Sequence, residues 1–175
     1  AQRSAAILGD LASGWRQPEV TAYAAWAAGI ADMTRGQLES AVENLRLATA
    51  NFVKAGKTFE SAQPQIAALV ALAMLGKYDQ LPRLGRRALR ILERHEDHLS
   101  AGKVEINLTN IAFQLGRYRQ AEKLGLSALG RFKSLKAAAW EAMVENGLAN
   151  TYAALNDFRS AEKYFQAALT SARAT

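Results

Sequence analysis

The sequence predicts an all-α protein built as an array of stacked helical hairpins, and three observations carry that expectation. Ala (36) and Leu (22) make up a third of the 175 residues; both are strong helix formers, and the small share of β-branched and aromatic residues argues against an all-β fold. Four segments align without a gap at steps of 40 residues: Gly36-Gln-Leu38-Glu-Ser-Ala41, Gly76-Lys-Tyr78-Asp-Gln-Leu81, Gly116-Arg-Tyr118-Arg-Gln-Ala121 and Asn156-Asp-Phe158-Arg-Ser-Ala161. A second small column, Ala48, Ala88, Ala128 and Ala168, stands seven residues further on, and Asn110 and Asn150 coincide six residues before the turn.

The elements follow in order. Residues 1–14 align with the second helix of a preceding repeat, Ala1 falling in the Ala41 column, and four helix-turn-helix repeats cover 20–56, 57–96, 97–136 and 137–175, about nine helices in all. Each repeat opens with an apolar-rich stretch, such as Ile66 to Leu75, and continues with an amphipathic one, such as Leu81, Leu84, Ala88, Ile91 and Leu92 with arginines between. Gly or Asn at the junction suits a left-handed helix C-cap, where a Cβ is disfavoured. The aromatic two residues later is placed to pack back across the turn. Pro64 predicts a late start or a kink in the first helix of its repeat. The Ala columns let helices approach closely, and since one hairpin cannot bury its apolar face alone, neighbours must stack. Because the chain starts inside a repeat, with Ile7, Leu8 and Leu11 on its first helix, it reads as a piece of a longer protein.

The Gly-x-aromatic-x-x-Ala-x6-Ala pattern resembles the tetratricopeptide repeat over about residues 20 to 173, with Ala41/Leu45/Ala48 and Ala161/Phe165/Ala168 fitting it well. There are departures: Gly85 and Gly125 stand where a large side chain is usual, the terminal proline is missing, and the period is 40. Longer periods are similar to the extended repeats of bacterial CHAT-protease-associated proteins, MalT-like regulators and the LGN/kinesin-light-chain group. The resemblance implies a right-handed α–α superhelix whose first helices line a concave groove. It places Tyr23, Trp26, Ile30 and Met33 there from repeat one, Gln63, Ile66, Val70 and Ala73 from repeat two, Lys103, Ile106, Asn107, Asn110 and Phe113 from repeat three, and Met143, Asn146, Asn150 and Ala153 from repeat four. Such a groove is apolar in its N-terminal half and amide-rich in its C-terminal half. In family members that grip peptides, asparagines at the positions of Asn107, Asn110 and Asn150 hold the peptide backbone. The competing occupant is another helix of the same polypeptide.

Charge is unevenly placed. Residues 76–136 carry thirteen basic and six acidic side chains, whereas the rest of the chain is close to balanced, so the net +6 belongs to one segment. Arg83, Arg87, Arg90 and Arg94 recur at helical spacing with Arg86 beside them, on the side opposite the apolar positions and hence on the convex face. This stripe reads as a solvated face, as a surface for an acidic protein, or as a nucleic-acid contact; without interleaved aromatics to stack bases, nucleic acid is the weakest of the three. His95 and His98 near a helix end lack a third convergent ligand, so no metal site is expected.

Catalysis finds no foothold. The chain has no Gly-rich phosphate loop, no H-E-x-x-H and no G-x-S-x-G, and it contains no Cys, which removes thiolate metal sites, disulfides and the nucleophile a CHAT protease requires. Its carboxylates read as scattered over surface positions. The expectation is a non-catalytic, cofactor-free, cytoplasmic protein-interaction module, with no signal peptide and no apolar run near the roughly 18 residues a membrane span needs. The alternative is a sensor domain controlling a fused output domain, with other domains of the same polypeptide as its partners.

Overall fold

A computed structural model of the chain describes residues 17–173, and these residues are helical throughout, without a strand among them. There are eight helices: α1 (Pro18–Thr34), α2 (Leu38–Lys54), α3 (Ala62–Met74), α4 (Leu81–Arg94), α5 (His98–Gln114), α6 (Tyr118–Ser134), α7 (Ala138–Ala154) and α8 (Phe158–Arg173). The leading helix expected over residues 1–14 lies outside the described residues. The chain divides into two compact units, Ala1–His95 and Glu96–Thr175. The first unit holds hairpins α1–α2 and α3–α4, and the second holds α5–α6 and α7–α8.

Each hairpin closes as the sequence requires. Gly36, Gly76, Gly116 and Asn156 all take left-handed φ values, +74°, +69°, +69° and +61°. The residue after each donates its N–H five positions back, for example Arg117 to the Ala112 carbonyl at 2.8 Å and Asp157 to the Tyr152 carbonyl at 2.9 Å, so the last carbonyls of each first helix are satisfied. A second left-handed column lies midway between these, at Gly56 (φ 74°), Glu96 (φ 56°) and Lys136 (φ 53°), where second helices end. A non-glycine residue there is disfavoured by crowding of its Cβ. Lys136→Gly is therefore expected to stabilise the protein by about 1 kcal/mol in urea unfolding; an unchanged or lowered midpoint would show that the turn imposes no such cost.

Repeat two is the irregular one. Its helices α3 and α4 have 13 and 14 residues, against 17 for α1, α2, α5, α6 and α7. Pro64 delays the start of α3 as expected: its ring excludes the carbonyl four residues back from a helical turn. Residues 58–61 are turns in consequence, with Ala62 and Gln63 donating to the carbonyls of Phe59 and Glu60. Pro82 acts in the same way on α4, and residues 78–80 are a turn where α2 and α6 already have helix. Contact between α3 and α4 is the sparsest of the four hairpins.

The core runs through the Ala columns. Ala41, Ala48, Ala88, Ala121 and Ala128 are fully buried, and so is Leu81. Glycines on one helix make room for large side chains on another: a Cβ on Gly29 would lie 2.7 Å from Leu45 Cγ, one on Gly102 2.6 Å from Phe132 Cζ, and one on Gly125 2.7 Å from Leu148 Cδ2. Gly125, at a position where the family carries bulk, is thus filled from the opposite helix. In the second unit Phe132, Leu129, Val144 and Leu148 form a cluster with Ile106, and Trp140 stacks on Phe132 at 5.7 Å.

The carboxylates are not all superficial, which corrects the reading of the sequence. Asp32, Glu105 and Glu145 are buried, and each is answered by donors, as a buried charge must be. Asp32 accepts from Ser40 Oγ at 2.6 Å and Asn44 Nδ2 at 2.8 Å, and pairs with Arg35. Burial alone would raise its pKa, but the bonds from Ser40, Arg35 and Asn44 outweigh it and hold the carboxyl below its ordinary value. Glu105 accepts from Ser127 Oγ at 2.7 Å and Arg131 Nε at 3.0 Å. Forty residues on, Glu145 accepts from Ser171 Oγ at 2.8 Å, with Lys133 Nζ 3.9 Å away.

Candidate functional site

The first helix of each hairpin presents a stripe of accessible side chains. In the second unit α5 and α7 touch, and their stripes are rich in amides. Asn110, Asn146 and Asn150 are exposed, and Asn107 is half-buried. None of the four side chains makes a hydrogen bond among the described residues, so their donors and acceptors are available to a ligand. Met143 is exposed beside them, and Phe113 is half-buried, its ring 5.5 Å from Tyr118 across the turn. Lys103 lies over the face of Trp140, 4.8 Å from the ring centroid, a cation–π contact that fixes its long chain. Ile106 departs from the expectation: it is buried in the cluster with Phe132 and Leu148, because the side of α5 it occupies is the one α6 and α7 cover. It is a packing residue.

In the first unit, α1 and α3 present apolar side chains instead. Tyr23 and Ile30 are exposed, and Trp26, Met33, Gln63, Ile66 and Val70 are half-buried. The Trp26 and Tyr23 rings both stand edge-on to Phe52, at 6.2 and 4.9 Å. The aromatic anchor at this end is thus a three-ring cluster, held in place by the fully buried Phe52.

Arg83, Arg86, Arg87, Arg90 and Arg94 are all exposed on α4, opposite its buried Leu81, Gly85, Ala88, Ile91 and Leu92. His95 packs on the Phe59 ring at 4.8 Å, and His98 Nδ1 lies 3.3 Å from Arg131 Nη1. Among the described residues no three His, Cys, Asp or Glu side chains gather as a metal would require. Tyr152 and Tyr164 stack at 5.3 Å; burial, with the Glu122 carboxylate at its hydroxyl, pushes the Tyr152 phenol up to about 12, so it stays a neutral donor there. No helix of the described residues is long and apolar enough to cross a membrane.

Antiparallel helix pairs at a 40-residue period, each closed by a left-handed Gly or Asn, define a helical-repeat protein. Residues 107–174 match the tetratricopeptide repeat family, and the same left-handed turns and buried Ala columns run through the earlier hairpins. Its fold is similar to that of BtubC (BKLC) from P. vanneervenii, with a TM-score of 0.84 at 18% sequence identity. The similarity covers 90% of this chain and 65% of that one. At this identity it establishes the fold alone. No curated protein matches the sequence at significant similarity.

Proposed function

We propose that this protein is a non-catalytic interaction module that binds an extended segment of a partner protein on the amide-bearing faces of α5 and α7. The observation that carries this reading is the set of four amides on α5 and α7, Asn107, Asn110, Asn146 and Asn150, none of which makes a hydrogen bond among the described residues. A carboxamide offers both donor and acceptor, the pair an extended peptide backbone presents at each residue. Met143 and Phe113 supply apolar contact beside them, and the first unit carries a separate apolar face on its Tyr23–Trp26–Phe52 cluster.

The test starts from peptides selected out of a random displayed library on the intact protein. Asn110→Ala combined with Asn150→Ala is expected to weaken the selected peptides by about tenfold or more, as two peptide hydrogen bonds lose their partner. Both positions are exposed, so the melting temperature should hardly move. Undiminished affinity in the double variant would remove these faces from the binding site.

A further inference from the structure

A second candidate site lies in the first unit. Between α2 and α4, floored by α3, is a cleft of about 810 Å³, within the 300–1,000 Å³ or so typical of ligand-holding clefts. Its walls are apolar at Val53, Ala68, Leu72 and Leu84. Its rim is basic: Arg46, Lys54, Arg83 and Arg87 stand against a single carboxylate, Asp79. Arg46 is tied to Gln80 Oε1 at 2.6 Å, while Lys54, Arg83 and Arg87 have no carboxylate partner among the described residues.

At the floor, Gln65 is 1% exposed. Its Nε2 donates to the Ser61 carbonyl at 2.8 Å, and its Oε1 is a buried side-chain acceptor with no hydrogen bond, a costly state for a native interior. The repeat explains how the vacancy arose. Gln65 stands 40 residues before Glu105 and 80 before Glu145, and those two are held by hydroxyl and guanidinium donors from the second helix of their own hairpin, at 127 and 131 for Glu105 and at 171 for Glu145. The equivalent positions on α4 are Arg87 and Ile91. Ile91 is turned into the core and Arg87 into the cleft. The two prolines have meanwhile shortened both helices of this hairpin, so the polar clamp that closes the later repeats is replaced here by an open, positively rimmed slot.

We propose that this cleft is a second binding site and that its ligand is an acidic peptide segment with apolar residues between its carboxylates. The carboxylates pair with Arg83, Arg87 and Lys54 on the rim, the apolar side chains lie against Leu72 and Leu84, and a peptide N–H supplies the donor that Gln65 Oε1 lacks. A peptide fits better than a nucleic acid, because the cleft has aliphatic walls and no aromatic ring on which a base could stack. Because Gln65 is covered, the ligand reaches it by parting α4 from α3, the hairpin with the sparsest contact.

The probe is a fluorescein-labelled peptide of alternating Glu and Leu, followed by anisotropy at physiological salt, with a Lys–Leu peptide and a single-stranded oligonucleotide as comparisons. Binding of the Glu–Leu peptide alone is expected. Arg83→Glu with Arg87→Glu should weaken it by about tenfold or more, and the charge-matched reversal Arg86→Glu with Arg90→Glu, on the same helix outside the cleft, by less than about threefold. Gln65→Leu, which keeps the volume and removes the acceptor, should weaken binding with helicity unchanged, whereas Asn110→Ala with Asn150→Ala in the other unit should leave it intact. Equal loss in the two charge reversals would reduce the effect to a diffuse field and overturn the site. Tighter binding of the oligonucleotide, or no binding of the Glu–Leu peptide, would overturn the ligand assignment.

Discussion

Phe132→Ala is expected to cost about 3–5 kcal/mol in urea unfolding, the largest loss from any single truncation in the second unit. Phe132 is fully buried, seated in the notch left by the absent side chain of Gly102 and stacked on Trp140 at 5.7 Å. Truncation leaves a cavity that its neighbours fill poorly: the glycine offers no side-chain atoms, and Trp140 is held by its contact with Lys103. The converse change makes the same point from the opposite helix. Gly102→Ala puts a methyl carbon 2.6 Å from the ring, and overpacking of that kind costs about 1–3 kcal/mol. If Phe132→Ala lost less than about 1 kcal/mol, the notch would have collapsed and the close approach of α5 and α6 would not be what holds the hairpin.

The second large effect is expected at Glu105. Removing this carboxylate in Glu105→Ala leaves Ser127 without its acceptor and Arg131 without its buried counter-charge. Breaking a buried pair by removing one partner costs about 3–5 kcal/mol. Because Arg131 retains some access to water, about 2–3 kcal/mol is the expected loss. Glu145→Ala should cost less, since its basic neighbour Lys133 is 3.9 Å away and largely exposed. Urea unfolding of the two variants side by side checks the order. Equal losses would mean that the cost comes from cavity volume and owes nothing to the polar clamp.

The turns of this fold were legible because their chemistry is local. Gly36, Gly76, Gly116 and Asn156 must be small or amide-bearing to take a left-handed φ, and so the sequence displays them at a fixed period. The Ala columns were legible for the same kind of reason, since close helix contact excludes larger side chains. The alternate turns at Gly56, Glu96 and Lys136 adopt the same conformation, but two of the three hide it, because tertiary packing imposes the conformation that a glycine would have advertised. Pro64 announces a late helix start, and Pro82 shortens α4 in the same way.

Side-chain direction was less legible than backbone. Ile106 and Asn146 occupy corresponding positions in their repeats, yet one is buried and the other exposed, because α5 is covered by two neighbours at that point. The buried acids are hidden in the sequence for a similar reason. The column Gln65, Glu105, Glu145 looks like surface until the donors that face it are placed, and those come from residues 22 to 26 positions away. The open cleft of repeat two follows from that column and the two prolines together, and neither signal alone pointed to it.

The central claim, that the asparagine faces of α5 and α7 hold a partner peptide, is tested most directly by following the side-chain amide resonances of the intact ¹⁵N-labelled protein during titration with a library-selected peptide. The Asn110 and Asn150 side-chain signals are expected to shift and saturate with the binding isotherm, while those of Asn44 and Asn51, which are engaged in the first unit, stay where they are. Saturation of binding with the Asn110 and Asn150 signals unmoved would contradict it.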